Sequence, residues 1–362
     1  MKGTVCLMLV VLCLTTVPTA AAVGTGASAA ILMEAETGRV LYEQNIHQRQ
    51  LIASTTKLMT ALVALESGCD LRESVKAKDD WVGIEGSSIY LREGEEITLE
   101  ALLYGLLLRS GNDAAVAVAG ICGGAEAFVA AMNQKAAELG MADSHFENPS
   151  GLDGETHYST AYDMALLARA CLQNETLAKI AATKSVTLGT RTFTNHNKLL
   201  WRYEGCVGLK TGYTEHAGRT LVSAAQRNGM TLICVTLNDP NDWADHAALL
   251  DYGFANFGMT TVVEAGETVC TLPTEGSLEP VTSVCAGDRV RLCLGPGENW
   301  SREVCLNTRK VAAPLAAGAE VGVLRFRVNG AERTVPLVTG ETVQDNRTAA
   351  DSPVRRLLKR FG

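Results

Sequence analysis

Apolar and polar positions change period several times along the 362 residues. In "AAILMEAETGRVLYEQN" an apolar run from Ala30 and a second through Val40 and Tyr42 flank Glu36-Thr37-Gly38, which predicts a hairpin. At "LIASTTKLMTAL" the spacing becomes helical, with Leu58, Met59 and Leu62 at core positions of a helix that Ser54 opens. "TLEALLYGLLLRSGNDAAVAVAGICGG" predicts a helix, a break at Ser110-Gly111-Asn112, and a second helix that stops at Gly123-Gly124. Two further amphipathic helices follow, "AEAFVAAMNQKAAELG" and "STAYDMALLARACLQ", the second with a capping Ser or Thr. "CVGLKTGYTEHAGRTLVSAAQRNGMTLICVTLND" reads as two strands around a tight turn at Arg227-Asn228-Gly229-Met230, with Lys210-Thr211-Gly212 ending one strand segment. "ALLDYGFANFG" closes this part as a helix. A helical middle between strands is an α+β pattern, not an alternating parallel sheet.

After about Gly258 the pattern changes to short strand-like pieces separated by Gly and Pro turns. In "VGVLRFRVNGAERTVPLV", Leu324, Phe326 and Val328 alternate with Arg325 and Arg327, Asn329-Gly330 suits a type I′ turn, and Pro336 suits an edge strand. The expected division is residues 1–22, 23–258, a small all-β domain at 266–340, and a linker with a basic tail at 341–362. In the tail, Val354, Leu357, Leu358 and Phe361 fall at i, i+3, i+4, i+7, and Arg355, Arg356, Lys359 and Arg360 take the other face. Such a segment suits peripheral contact with an anionic membrane surface.

Composition narrows the function. A net charge of −8 offers no basic field to gather phosphates, which argues against a nucleic-acid partner. The first 22 residues have the layout of a signal peptide: Lys2, an apolar run from Val5 to Val17, and Ala20-Ala21-Ala22 as a cleavage site. The chain is therefore read as exported, acting outside the cytoplasm at the outer face of the membrane or in the wall. Of its 11 cysteines, Cys6 and Cys13 fall in the leader, and the remaining nine show no C-x-x-C pair. Neither a zinc site nor a disulfide framework is indicated, although Cys270, Cys285, Cys293 and Cys305 cluster closely enough to leave a bridge open.

Ser54 and Lys57 carry the candidate chemistry. Residues i and i+3 share a helix face, so the hydroxyl and the amine can meet. A serine is a poor nucleophile until a base takes its proton, and burial or a neighbouring cation lowers a lysine pKa enough for that task. Alone, S-x-x-K is weak, since a helix N-cap beside a surface lysine looks the same. Two other segments strengthen it. Ser110-Gly111-Asn112 sets a hydroxyl and an amide at a helix break, and Lys210-Thr211-Gly212 lies on a strand where glycine leaves room for a substrate backbone.

S-x-x-K, S-x-N and K-T-G in this order form the set found in penicillin-binding proteins and class A β-lactamases. With "ETGRVLYEQN", "IASTTKLMTALVALE", "LLLRSGNDAAVAVA", "NPSGLDGETHYSTAYDMALLA" and "GLKTGYTEHAGRTLVSAA", residues 29–257 resemble the serine-type D-alanyl-D-alanine carboxypeptidases, the low-molecular-mass penicillin-binding proteins of peptidase family S11. The β module and amphipathic tail resemble the C-terminal half of that family. The resemblance implies a DD-peptidase/β-lactamase-like domain, an antiparallel sheet with helices and a helical subdomain, followed by a β-sandwich-like domain. It implies Ser54 as nucleophile, Lys57 as its base and Ser110 as proton relay. Asn112, Lys210, Thr211, Gly212 and Tyr213 would bind substrate, with the backbone N–H groups of Ser54 and Tyr213 as oxyanion hole. Partners would be peptidoglycan stem peptides and, as covalent inhibitors, β-lactams; no metal or organic cofactor is implied. Many relatives carry a basic residue after the last strand, but "NDPNDWADHAALL" is acidic and offers only His246, which leaves the second substrate-carboxylate contact open. A β-lactamase, with Glu155 as a deacylating carboxylate, and a non-catalytic penicillin-binding wall protein are the alternatives. His157, His196 and His216 lie near the motifs, but a Ser-His arrangement is not needed where a lysine serves as base.

Overall fold

The structure, a computed structural model, describes residues 23–345. The leader 1–22 and the basic tail lie outside the described residues. β1 (Ala29–Glu34) and β2 (Val40–Gln44) form the expected hairpin. A 3₁₀ turn over Ala53–Thr56 leads into α1 (Lys57–Glu66), so Ser54 sits on a 3₁₀ turn and not on the α-helix itself. β3 (Ser74–Lys76) and β4 (Glu96–Thr98) pair at the base of a long loop. Helices α2 (Leu99–Leu108), α3 (Asn112–Ile121), α4 (Ala125–Glu138), α5 (Ala161–Gln173) and α6 (Glu175–Ala182) follow. The α2–α3 break falls at Ser110-Gly111, and Thr160 caps α5 by accepting the Asp163 N–H at 3.1 Å. The hairpin of β5 (Ser185–Leu188) and β6 (Arg191–Thr194) and the short α7 (Leu199–Arg202) precede β7 (Cys206–Thr214), β8 (Gly218–Arg227), β9 (Met230–Leu237) and α8 (Asp242–Asn256).

The stretch read as two strands thus contains three. Lys210-Thr211-Gly212 lies inside β7, which stays paired with β8 as far as Thr214 opposite Gly218. The sequence hides this because Lys210 to Thr214 carry no apolar alternation; cross-strand pairing keeps them extended in its place.

The five strands run antiparallel in the order β2-β1-β9-β8-β7. Successive residues point to opposite faces, and both faces are covered. Ala29, Ile31 and Met33 of β1 with Ile233, Val235 and Leu237 of β9 enter the core shared with α1 to α6. Ala30, Leu32, Leu232 and Cys234 enter a second core under Leu249 and Leu250 of α8. Burial on both faces explains why β1 is apolar at nearly every position. β7 stands at the sheet edge, against the turn that carries Ser54.

β strands follow α8 directly. β10 (Gly258–Val263) pairs with β13 (Val290–Leu294). β11 (Thr268–Glu275), β12 (Val281–Ala286), β14 (Trp300–Leu306), β15 (Val311–Ala312), β16 (Glu320–Val328) and β17 (Ala331–Thr339) form a six-stranded sheet in the order β14-β16-β17-β12-β11-β15. Leu324 and Phe326 point into its core, and Asn329-Gly330 turns with φ of 48° and 80°, as a type I′ turn needs. Pro336 does not sit on an edge strand, because β17 pairs on both sides. It lies where pairing with β12, which covers only Leu337 to Thr339, has ended, so its missing N–H breaks no bond on that side. The nine cysteines of the described residues are all free, including the late four. Arg39, in the β1–β2 turn, ties the β part down: its guanidinium grips Glu298 with two bonds of 2.6 Å and stacks over Phe257.

Candidate active site

Lys57 is among the largest fully buried side chains of the described residues. Its Nζ lies 2.8 Å from Ser54 Oγ, 2.7 Å from Asn112 Oδ1 and 2.5 Å from the Ser150 carbonyl. Burial foremost, then the neighbouring Lys210 cation, push the amine well below the ordinary lysine range, against an opposing pull from Asp113. A neutral amine has two hydrogens and one lone pair. Asn112 Oδ1 and the Ser150 carbonyl can only accept, so they take the hydrogens and leave the lone pair for the Ser54 hydroxyl. The Asn112 amide has one orientation, since its Nδ2 donates to the Glu85 carbonyl at 2.6 Å.

Lys210, also buried, reaches the other hydroxyl. Its Nζ donates to Ser110 Oγ at 3.1 Å and to the Thr211 carbonyl at 2.7 Å, and burial lowers it to about 7. Ser54, Ser110, Thr211, Gly212 and Tyr213 line one cavity of about 380 Å³, together with Ser87, His196, Lys198, Arg219, Asp242 and Trp243. Gly212 is where β7 meets the turn: a Cβ there would lie 3.0 Å from the Ser54 nitrogen and 3.1 Å from that of Thr55.

A family description, D-alanyl-D-alanine carboxypeptidase of peptidase family S11, matches residues 16–241. The D-alanyl-D-alanine carboxypeptidase DacF of Bacillus subtilis is 33% identical over 320 residues, 84% of this chain and 82% of that protein. Penicillin-binding protein 5 from Haemophilus influenzae superposes with a TM-score of 0.77 at 29% identity, over 90% of this chain and 99% of that one. A peptidoglycan synthesis regulatory factor, PBP3 from Streptococcus pneumoniae, gives 0.78 at 27% identity, over 89% and 100%. The chain belongs to the S11 D-alanyl-D-alanine carboxypeptidases. It is a serine-type carboxypeptidase, a hydrolase, on the two-part α+β fold of that family.

In this carboxypeptidase all eight residues singled out from the sequence converge, seven on one another or on the cavity and Asn112 behind it on Lys57. The histidines do not join them as bases. His157 is buried, its Nδ1 accepting the Glu147 N–H and its Nε2 on Thr56 Oγ1 at 2.8 Å, and desolvation lowers it to about 4. His216 meets Asp153, and His196 lines the cavity without a bond to Ser54. His246 is buried between Ser223 and Thr236 behind the sheet and is no rim residue. Glu155 is exposed and does not line the cavity.

Sequence reading missed three supports. The Ser150 carbonyl comes from an Asn148-Pro149-Ser150-Gly151 turn in which Asn148 Oδ1 accepts from the backbone of Ser150 and Gly151; the Asn-Pro-Ser-Gly string was the available signal. Buried Asp113 takes the N–H groups of Ile89 and Leu91 and the Ser88 hydroxyl, which pins the loop whose Glu85 and Ser87 carbonyls hold Asn112. Arg219, Asp242 and Trp243 form the far wall, from strands and helices that no motif marks.

Proposed function

We propose that Ser54 attacks the carbonyl between the two terminal D-alanines of a peptidoglycan stem peptide, with Lys57 as its base. One observation carries this reading: a buried lysine, lowered in pKa, has its two hydrogens committed to fixed acceptors and a serine hydroxyl at the remaining position. Proton transfer to Lys57 makes the alkoxide at the moment of attack. The backbone N–H groups of Ser54 and Tyr213 receive the oxyanion. Ser110, held by Lys210, passes a proton to the departing D-alanine; Thr211 contacts the substrate carboxylate, and water then hydrolyses the acyl-enzyme. Lys210 contributes twice, as positive charge near the substrate and as the cation that lowers Lys57. Penicillins would acylate Ser54 by the same first half of the mechanism.

On this reading residues 23–258 are the catalytic unit, the strands at 266–340 a spacer, and 341–362 a linker ending in a peripheral membrane contact at the outer face of the cell membrane. The test combines two measurements on the purified protein. Release of D-alanine from a D-Ala-D-Ala peptide and mass-spectrometric mapping of labelled penicillin to Ser54 are expected, with turnover lowered by about 10⁶-fold in Ser54→Ala. A label on a different residue would refute the assignment.

A further inference from the structure

α1 and α3 pack side by side and run the same way. Each is ten residues long, about 15 Å, and each starts at the candidate site, where Lys57 Nζ meets Asn112 Oδ1 at 2.7 Å. Their far ends each carry a cysteine. After α1, Ser67 closes the helix, Gly68 turns the chain with φ of 79°, and Cys69 folds back on the core, its N–H donating to Ser67 Oγ at 3.4 Å. At α3, Cys122 is the closing residue itself, its N–H on the Val118 carbonyl, before Gly123 and Gly124 lead the chain away. The two thiols lie within hydrogen-bonding reach of each other, and the Cys122 thiol also meets the Ser67 hydroxyl. Both cysteines are only half-buried, so a reagent in solvent reaches them, unlike the fully enclosed Cys171 and Cys234. The chemistry assigned to Ser54 uses neither.

We propose that Cys69 and Cys122 form an intramolecular disulfide by exchange with an external disulfide, a cross-link that fastens the far ends of α1 and α3. The signal-peptide layout of residues 1–22, read as export, would put the chain where such bonds persist. The exchange balances in two steps. Cys69, on the loop, loses its proton and attacks the external disulfide R–S–S–R; one R–S⁻ leaves and takes up a proton. Cys122 then loses its proton and attacks the Cys69 sulfur, and the second R–S⁻ leaves and is protonated in turn. Two protein thiols are oxidised, and one external disulfide is reduced to two thiols. The surroundings set this order. Burial foremost pushes the Cys122 thiol up to about 12, with the Ser67 hydrogen bond pulling it down and Cys69 adding to the rise. Cys122 is therefore the poor first attacker and the resolving sulfur, a task for which its partner already lies beside it. The bond closes a loop over residues 69–122, which carries Ser110, Asn112 and the Glu85 carbonyl that orients Asn112. Closing a loop this long takes conformational freedom from the unfolded chain and so favours the folded one.

The test equilibrates the purified chain with oxidised glutathione, alkylates the remaining thiols under denaturing conditions and maps the peptides by mass spectrometry. The expected product has the Cys69 and Cys122 peptides joined and every other cysteine alkylated. Its unfolding temperature should exceed that of the dithiothreitol-reduced chain by about 5 to 10 °C, and the difference should vanish in Cys69→Ser and in Cys122→Ala. Glutathione retained on either residue as a stable mixed disulfide, alkylation of both, or a bridge from either to another cysteine would overturn the proposal. A joined pair with no gain in unfolding temperature would overturn the fastening role. The mass map and the oxidised-against-reduced comparison need only the parent chain, so a variant that does not fold leaves the test intact. Neither readout involves turnover, so loss of the Ser54 assignment would leave this proposal standing, and the reverse.

Discussion

Gly212→Ala should damage catalysis out of proportion to the single methyl it adds. A Cβ at this position falls inside 3.0 Å of Thr220 Oγ1, and 3.0 and 3.1 Å from the backbone nitrogens of Ser54 and Thr55. Thr220 has no exposed surface and donates to the Ile52 carbonyl at 3.1 Å, so turning its hydroxyl aside forfeits a buried hydrogen bond, about 1 kcal/mol. The remaining relief is to move β7 and the Ser54 turn apart. Overpacking of this size costs about 1 to 3 kcal/mol of stability. The catalytic effect is larger in ratio, because a shift approaching 1 Å between nucleophile and oxyanion donors lowers the rate by about 10²-fold. Stopped-flow acylation by labelled penicillin and thermal unfolding would be measured on Gly212→Ala, Thr220→Ala and the double variant. Removing the Thr220 hydroxyl opens the closest contact, so the double variant should acylate faster than the sum of the single losses predicts. Full acylation by Gly212→Ala at unchanged stability, or strict additivity in the cycle, would show that the β7–turn contact does not set the geometry.

Three further outcomes follow from other contacts. Asn112→Asp replaces the oxygen 2.7 Å from Lys57 Nζ by a carboxylate, whose charge raises the lysine pKa; the acid limb of the acylation–pH profile should move to higher pH, and an unshifted limb would deny Lys57 the role of base. Hydrogen bonding to Arg39 lowers Glu298 to about 2, so the pair stabilises the fold above the ordinary glutamate range and that contribution is lost as pH falls from about 4.5 toward 2. After discounting for its exposure, Arg39→Gln should cost about 1 to 2 kcal/mol in urea unfolding at pH 7 and converge on the parent at low pH, with peptide hydrolysis unchanged. Deleting residues 352–362 should weaken binding to anionic liposomes and spare hydrolysis; equal binding would end the membrane proposal.

Most helices and the first hairpin were legible because their apolar faces repeat at one period and end at Gly or Ser-Gly-Asn breaks. β7 was legible only as a segment ending at Lys210-Thr211-Gly212, because the residues from Lys210 to Thr214 carry no apolar alternation to show that pairing with β8 continues. The same motif did disclose Lys210 and Thr211, whose residue types carry the chemistry wherever the strand ends. Arg219 had no such mark. Its place depends on the β7–β8 register and on the start of α8, both long-range facts. The Ser150 carbonyl was invisible for a different reason: a backbone acceptor has no residue type, and only the fold brings position 150 to position 57.

Local backbone preference marks the site independently of any motif. Among the described residues seven other than glycine have positive φ. Four are asparagines, Asn45, Asn228, Asn238 and Asn329, which tolerate the left-handed region at little cost. The other three are Ala53 at 46°, Tyr90 at 59° and Ser110 at 63°. Ala53 precedes the nucleophile, Ser110 is the relay candidate, and Tyr90 belongs to the loop that holds Asn112. Each is disfavoured by about 1 to 2 kcal/mol and persists only where the surroundings over-determine it. The surroundings do so: Gly151 packs on the Ala53 carbonyl at a distance that admits no side chain, and Asp113 grips the backbone on either side of Tyr90. The chain departs from its own local preferences at the points where Ser54, Ser110 and Asn112 must be presented to one another, and relaxing any of the three would separate the hydroxyls from the two buried amines.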